Sequence, residues 1–317
     1  MGQFIDLRGI DLRPQADIPP EIPYLIFREI CGRGGMATVW RAWHHLMERE
    51  VAVKVLDASF SENPEDIERF QTEARVLACL QHPGFVRGYG AECVNGRHFY
   101  LMDFIGGYTL KALLARKTKI SESNAMAVIE CVASALGYAW NSFKTVHCDL
   151  KPDNIMLDVD SSVKIMDLGL ASETMFTESK RIAAREDSDE IIGTPMYMSP
   201  EQIYGDVELD CRTDIYSLGA TVYQLVTGRE IFPGMSTDNV VRAHIDTETA
   251  APDPRIFTPE LSAPFVRLLS WMLVKDRNCR LQVWDAVSEL CATVEAGYAI
   301  PPPTSPSSVA TNGPSAD

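Results

Sequence analysis

The pattern of apolar and polar residues divides the chain into a shorter β-type part followed by a longer helical part. Between residues 24 and 104 the apolar positions mostly alternate, as in "EVAVKVLD", and this period of two is typical of half-buried strands. A hairpin turn is predicted at Asn95-Gly96. Only the stretch after Asn63 departs from this pattern, because Pro64 and a run of apolar residues at helical spacing follow the capping asparagine. The pattern therefore predicts one helix within a mainly β region.

The part of the chain from residue 105 onward is predicted to be mainly helical. Apolar residues recur at helical spacing in four long stretches, which cover residues 121–142, 214–227, 259–274 and 281–295. A short hairpin is expected where residues 154–157 pair with residues 163–166. We therefore predict an α+β, bilobed fold. Its small lobe, residues 24–104, is mainly β with one helix, and its larger lobe, residues 105–295, is mainly α.

The two ends of the chain differ in composition from the region between them. Residues 1–23 are polar, contain "IDLR" twice, and are predicted to form a short N-terminal arm. Residues 296–317 are rich in proline and serine. Such a segment cannot bury enough apolar surface to offset the entropy of ordering, so this tail is predicted to be disordered.

Charge and cysteine content narrow the classes of protein to consider. The net charge is −15, which disfavours a nucleic-acid partner, because phosphate contacts need clustered Lys and Arg. No run of 18 uninterrupted apolar residues occurs, so no membrane span is expected. The eight cysteines are scattered, and none lies within four residues of another. This spacing favours reduced thiols and a cytoplasmic location. The sequence makes no prediction about oligomeric state.

A glycine-rich turn, Gly32-Arg33-Gly34-Gly35, is the first motif that carries chemistry. Glycines let the backbone turn tightly and approach a phosphate with its N–H groups. A dinucleotide site of the doubly wound type needs a helix directly after the glycines. Here Thr38 and Val39 follow in a second strand pattern, which excludes that site. Taken alone, the motif is equally compatible with an ordinary hairpin turn.

A lysine and a glutamate on separate predicted elements form the second motif. Lys54 shares a strand face with the small Ala52, which leaves space beside the ammonium group. Glu73 is in line with Phe70 and Leu77 on the predicted helix, and a carboxylate on an apolar stripe needs a cation. We therefore predict a Lys54–Glu73 ion pair, with both groups facing a solvent-accessible cleft. Each residue alone would more commonly be structural.

The stretch "VHCDLKPDNIML", residues 146–157, concentrates polar groups beside a predicted buried strand. Asp149 and Asn154 carry oxygens suited to Mg²⁺ or to a hydroxyl proton, and Lys151 supplies a point charge for a phosphate. A second carboxylate, Asp167, follows at the other edge of the predicted hairpin. One carboxylate can then hold a metal while the other accepts a proton, although an isolated aspartate of this kind would be an ordinary turn residue.

Taken in order, these motifs resemble the signature of eukaryotic-type (Hanks-type) protein kinases over residues 24–294. "GTPMYMSPE" resembles the end of the family's activation segment, and "DIYSLGATVYQLVTG" resembles its long buried helix. Arg280 fits the arginine that pairs with the glutamate of the Pro-Glu motif, here Glu201. "DLKPDN" together with Thr194 is similar to the serine/threonine branch, and "GTPMYMSPE" resembles the bacterial members especially.

The resemblance implies a phosphoryl-transfer site that uses Mg-ATP and protein substrates. Asp149 would orient the substrate hydroxyl and accept its proton, and Lys151 would steady the γ-phosphate. Thr194 would contact both of these residues. Asn154 and Asp167 would bind Mg²⁺.

The resemblance also implies a nucleotide pocket. Lys54 would hold the α- and β-phosphates and pair with Glu73, Met102 would be the gatekeeper, and residues 103–105 would bind adenine through the backbone. The implied pocket residues are Cys31, Gly32, Gly34, Gly35, Val39, Ala52, Lys54, Met102, Asp103 and Ile105.

One departure from the family pattern bears on regulation. Cys148 stands where the family usually has the arginine that grips a phosphate on the activation loop, and a neutral thiol cannot make that contact. The alternative to an active kinase is a pseudokinase that binds or scaffolds. It would be expected to lack one of the four central site residues, and all of them are present: Lys54, Asp149, Asn154 and Asp167.

Overall fold

The computed structural model describes residues 19, 21–168, 195–206 and 208–303. The described chain forms two compact units. The first contains the residues up to Cys79 together with Arg87–Phe104, and the second contains Leu80–Val86 and the residues from Ile105 onward. The first unit contains mainly strands and the second mainly helices, as predicted for the small and the large lobe.

The first unit is an antiparallel sheet with one helix among its described residues. Its elements are β1 (Leu25–Arg33), β2 (Ala37–His44), β3 (Arg49–Leu56), α1 (Pro64–Cys79), β4 (Gly88–Val94) and β5 (Arg97–Asp103), and the strand order is β1-β2-β3-β5-β4. Asn95 and Gly96 join β4 to β5 with φ angles of 50° and 75°. Asparagine and glycine tolerate this left-handed conformation best, and the predicted hairpin is confirmed.

The core of the first unit lies on one face of this sheet. Val51, Val53 and Val55 of β3 are almost fully buried there together with Trp40 and Phe99. Their alternation leaves the intervening positions of β3 on the opposite face, as the period of two predicts. The chemistry-bearing residues of β3 occupy that second face.

The second unit is mainly helical and carries a small three-stranded sheet. Its helices are α2 (Leu110–Lys117), α3 (Glu122–Phe143), α4 (Pro200–Tyr204), α5 (Cys211–Thr227), α6 (Thr237–Ile245), α7 (Ala263–Met272) and α8 (Trp284–Glu295). Its strands are β6 (Tyr108–Thr109), β7 (Ile155–Leu157) and β8 (Val163–Ile165), in the order β6-β7-β8. All four predicted helices and the predicted β7–β8 hairpin are present, which confirms the α+β organisation.

Helix ends follow local capping rather than the apolar pattern alone. α7 begins later than predicted because Ser262 is its N-cap and accepts a hydrogen bond from the Phe265 N–H. α5 begins earlier than predicted because the Asp210 side chain accepts from the Arg212 N–H. An N-cap satisfies backbone donors that the helix leaves unpaired, so the cap sets the first turn. Among the described residues, no helix has the length and apolarity needed to cross a bilayer.

Residues 80–86 group with the second unit, although the sequence assigned all of residues 24–104 to the small lobe. The Ile165 N–H donates to the Gly84 carbonyl at 2.7 Å, and the Val86 N–H donates to the Ile165 carbonyl at 3.1 Å. These bonds attach the segment to the end of β8. The attachment depends on a backbone partner about 80 positions away, which no local pattern identifies.

Candidate active site

The predicted ion pair between Lys54 and Glu73 is confirmed in the first unit. The Lys54 Nζ donates to the Glu73 Oε1 at 2.7 Å, which connects β3 to α1. The Tyr100 hydroxyl donates to the same oxygen at 2.8 Å, and the Tyr100 ring centroid lies 5.7 Å from the Lys54 Nζ. The two charged side chains are 12% and 16% exposed, so the pair is more buried than the sequence suggests. Its attraction is therefore less screened by solvent than that of a surface pair.

Strand register places four of the predicted pocket residues on one face of the sheet. Val39 pairs with Lys54 across β2 and β3, and Ala52 pairs with Met102 across β3 and β5. Directly opposed residues of antiparallel strands share a face, as do residues two positions apart. Val39, Ala52, Lys54 and Met102 therefore share a face. Cys31 lies at a register shift in β1, between the paired residues Ile30 and Gly32.

At the junction of β1 and β2, three glycines occupy positions where neither close packing nor backbone conformation requires glycine. A Cβ added to Gly32 or Gly35 would meet no atom within 4 Å, and one added to Gly34 would meet only the Ala37 carbonyl at 3.4 Å. None of the three has a positive φ angle. Glycine at these positions is consistent with a backbone that must leave room for an external group.

The second unit brings together two predicted catalytic residues, Asp149 and Lys151, and the predicted metal ligand Asn154. The Lys151 Nζ donates to both carboxylate oxygens of Asp149, at 2.9 and 2.8 Å. The Asn154 Nδ2 donates to the Asp149 Oδ2 at 2.9 Å and to the Asp149 carbonyl at 2.7 Å. The Asp149 side chain remains 35% exposed and the Lys151 side chain 20% exposed. The carboxylate is thus oriented by two donors and still accessible.

The hairpin of β7 and β8 brings the two predicted metal ligands to one end of the small sheet. Asn154 directly precedes β7, and Asp167 lies two residues after β8. The Met166 N–H donates to the Asn154 carbonyl at 3.0 Å. This hydrogen bond joins Asn154 to the residue directly before Asp167. Asp167 has a φ angle of 49°, in the left-handed region. Thr194, the remaining predicted catalytic residue, lies outside the described residues.

A buried carboxylate that the sequence analysis left without a role holds the segment before Asp149. The Asp214 side chain, on α5, accepts the His147 N–H at 2.7 Å and the Cys148 N–H at 2.8 Å. Burial raises the Asp214 pKa to about 6, although these hydrogen bonds favour the charged form. Asp214 lies in the first turn of α5, directly after Arg212 and Thr213, so no apolar surrounding in the sequence marked it as a buried carboxylate.

Cys148 is buried and contributes no charge to this segment. Its φ angle is 63°, and its carbonyl accepts the Gln202 Nε2 at 2.7 Å, which ties it to α4. Burial raises the pKa of the Cys148 thiol well above its usual range, and the negative charges of Asp214 and Asp149 add to this effect. The thiol is therefore neutral at physiological pH and lacks the charge of the arginine that the family usually has at this position.

The predicted pair between Glu201 and Arg280 is confirmed inside the second unit. Two guanidinium nitrogens donate to the two carboxylate oxygens at 2.7 and 3.1 Å, and the side chains are 3% and 0% exposed. The Thr213 hydroxyl donates to the same carboxylate at 3.1 Å. Burial alone would raise the Glu201 pKa, but the hydrogen bonds and charge of Arg280 hold it below its usual range.

Comparison with known proteins gives a consistent result. Residues 25–291 match the model of the protein kinase domain. The chain is 35% identical over 282 residues to the serine/threonine-protein kinase PknA of Mycobacterium tuberculosis, which covers 87% of this chain and 62% of that protein. It is 30% identical over 253 residues to the serine/threonine-protein kinase PrkC of Bacillus subtilis, covering 80% of this chain and 37% of that protein. The chain thus spans less than two thirds of the length of each of these relatives.

A solved structure shows the same fold. The crystal structure of the Mycobacterium tuberculosis PknI kinase domain matches with a TM-score of 0.65, at 22% sequence identity. The match covers 86% of this chain and 97% of that chain. At this level of identity the likeness concerns the fold alone.

Proposed function

This chain belongs to the protein kinase family, and on that premise we propose that it is an active serine/threonine kinase. It transfers the γ-phosphoryl group of Mg-ATP to serine and threonine hydroxyls of protein substrates. The observation that carries the proposal is the contact of Lys151 and Asn154 with the Asp149 carboxylate. This cluster combines a proton acceptor, a cation and an amide within one short loop.

The catalytic loop acts mainly by orientation and charge. Asp149 orients the substrate hydroxyl and accepts its proton as the oxygen attacks, because its carboxylate is accessible yet held by two donors. Lys151 is already at the carboxylate and supplies positive charge where the transferred phosphoryl group becomes more negative. Asp214 fixes the backbone before Asp149, so little reorganisation is needed during reaction.

Two residues fit the magnesium ion that the family uses. Both hydrogen bonds of the Asn154 side chain use its nitrogen, which leaves the amide oxygen as the ligand atom. Asp167, two residues after the other strand of the hairpin, would supply a carboxylate, and oxygen ligands of this kind suit Mg²⁺. The bound ion would neutralise charge on the phosphate oxygens.

The first unit supplies the residues proposed to bind the nucleotide. Lys54 is oriented by Glu73 and would contact the α- and β-phosphates. The turn from Gly32 to Gly35 leaves open space in which the triphosphate would bind. The adenine ring would lie against the face that carries Val39, Ala52 and Met102.

The test of this function is phosphate transfer from γ-labelled ATP to a generic basic protein. A basic substrate is chosen because the chain has a net charge of −15. Wild-type protein should label serine and threonine, and Asp149→Asn should reduce labelling to background. A pseudokinase would instead give equal background labelling with both proteins, while still binding ATP.

The cysteines bear on where this kinase works. All eight lie in the described part of the chain, and all are free. Free thiols are typical of reducing compartments, so we propose a cytoplasmic location for this domain. Recovery of the native protein in an oxidised, disulfide-linked form from intact cells would contradict this.

Phosphorylation of the activation segment is expected to be unnecessary for activity. The buried, neutral Cys148 cannot pair with a phosphate there, whereas an arginine would gain charge-assisted hydrogen bonds. The segment lies outside the described residues, and its candidate acceptors are Thr174, Thr177, Ser179 and Ser188. Changing all four to alanine should leave activity within about threefold of wild type, under ~1 kcal/mol.

The matched control for that variant is wild-type protein freed of phosphate by a phosphatase. Thr194 is left unchanged, because the family resemblance places it beside Asp149 and Lys151. A hundredfold loss of activity that phosphorylation restores would contradict the prediction and would mean that another cation takes the arginine's role.

Glu73→Ala is expected to lower both activity and stability. The change removes the acceptor that Lys54 and Tyr100 share, in a site where the charged side chains are 12% and 16% exposed. We expect a loss of about 1–3 kcal/mol in the free energy of unfolding, because buried donors lose a partner. Glu73→Gln serves as control, since it retains an acceptor but removes the charge. It should recover stability and leave activity low. Equal stability of all three proteins by denaturant titration would show that the pair behaves as a surface pair.

A further inference from the structure

The chain leaves the sheet of the first unit at the end of β5. Several side-chain contacts surround this point, and the proposed phosphoryl transfer does not use them. The β3–β5 ladder ends at the pair Val51–Asp103, and Phe104 is the last residue of the first unit. The Asp103 N–H still donates to the Arg87 carbonyl at 2.9 Å. Beyond this pair, the β3–β5 ladder no longer constrains the chain.

Asp103 is held by an arginine and a tyrosine. Its carboxylate accepts hydrogen bonds from Arg49 and from the Tyr89 hydroxyl. Two guanidinium groups lie near the Tyr89 ring, with the Arg49 Cζ 5.0 Å and the Arg87 Cζ 5.7 Å from its centroid. Arg49 and Tyr89 belong to β3 and β4, so they fix the Asp103 side chain to both strands that flank β5.

Phe104 is held by a second arginine, from β2. The Arg41 Cζ lies 4.7 Å from the centroid of the Phe104 ring. Arg41 is itself oriented by two carboxylates: it donates to both oxygens of Glu50 at 2.7 Å and to the Glu29 Oε1 at 2.9 Å. A guanidinium held by carboxylates in this way presents its plane in a fixed direction to an aromatic ring.

The stability of the fold does not explain these contacts well. The Arg41 and Arg49 side chains are 30% and 43% exposed, so solvent screens much of what their ion pairs contribute to the free energy of unfolding. What they do provide is orientation, because together with Tyr89 they hold two consecutive residues, Asp103 and Phe104, from three different strands. A rigid segment at this point matters if a ligand must meet its backbone.

We propose that Arg41 and Arg49 are positioning residues for the nucleotide base. They hold Asp103 and Phe104 so that backbone groups at the end of β5 meet the hydrogen-bonding edge of adenine. They thereby set the preference for adenine over a purine that lacks the 6-amino group. This inference rests on the proposed function, because it concerns the base of the same nucleotide.

The test compares equilibrium binding of Mg-ADP and Mg-IDP by calorimetry. The proteins are wild type, Arg41→Gln, Arg49→Gln and the double variant. Binding is measured rather than phosphoryl transfer, so that a failure of the kinase activity is seen separately. The matched control is Arg75→Gln, because Arg75 forms an exposed ion pair with Glu68 on α1. Arg41→Lys and Arg49→Lys replace any glutamine variant whose melting temperature shows that it is not folded.

Each single variant is expected to weaken ADP binding about threefold to tenfold, the effect of impairing roughly one hydrogen bond. IDP binding should change less than twofold, so the ADP/IDP ratio falls, and it should fall further in the double variant. Arg75→Gln should keep the wild-type ratio. Unchanged ADP binding in the double variant would overturn this inference alone, as would an equal loss for both nucleotides. A wild-type protein that binds neither nucleotide would overturn the proposed function as well.

Discussion

Lys54→Met is expected to lower phosphoryl transfer by at least about 100-fold, the effect of losing one preorganised charge in a site of this kind. Lys54 is the residue that Glu73 and Tyr100 orient from the first unit, and methionine has a similar length without the charge. The triphosphate would then lack a cation that stabilises the charge of the transition state. Activity is measured with γ-labelled ATP, and folding by the melting temperature.

Asp167→Asn should cause a loss of the same order, because the proposed metal ligand loses its charge while keeping its shape. The control for both variants is Lys119→Met, which removes a lysine that pairs with Glu260 elsewhere in the second unit. It should retain wild-type activity. If Lys54→Met or Asp167→Asn kept more than about a tenth of wild-type turnover, a penalty under ~1.4 kcal/mol, the assignment of that residue would be wrong.

Glu201→Ala is expected to cause the largest loss of stability, about 3–5 kcal/mol, because it leaves the buried Arg280 guanidinium without its countercharge. Denaturant titration of the free energy of unfolding measures this loss. Glu260→Ala is the control, because its pair with Lys119 is exposed, and it should cost under ~1 kcal/mol. A Glu201→Ala protein as stable as this control would contradict the buried-pair interpretation.

The same variant should also change how stability depends on pH. The pKa of Glu201 is lowered in the folded protein, so the unfolded chain binds the proton more readily. The stabilisation is therefore fully present above the ordinary glutamate pKa of 4.5 and is lost as the pH falls through the lower, folded value. The difference in melting temperature between wild type and Glu201→Ala should accordingly be largest near neutral pH and shrink in acid. A difference independent of pH would show that the carboxylate charge is not responsible.

Several features of the site follow from the sequence because each depends on a simple local rule. Glu73 interrupts an apolar helical stripe, and a carboxylate there needs a cation, which Lys54 provides. The Asn95-Gly96 hairpin is predictable because few residue pairs accept two positive φ angles. The roles assigned to Asp149, Lys151 and Asn154 came instead from the resemblance to a family, and the structure adds the contacts between their side chains.

Other features depend on residues far apart in the chain. Asp214 lies in the first turn of α5, and its partners are the N–H groups of His147 and Cys148, 67 and 66 positions away. A backbone donor has no distinctive side chain, so no residue pattern marks it as a partner. The same reason explains why residues 80–86 join the second unit through Ile165.

The amino-acid pattern was enough to predict the elements, the two-part organisation and the residue types of the site. These depend on periodicity, capping and turn chemistry, which act over a few positions. The folded structure was needed to show which backbone groups Asp214 holds, how exposed the Lys54–Glu73 pair is, and that Arg41 and Arg49 hold the end of β5. Those properties arise from packing between distant segments, and packing determines both the partner and the local access of water.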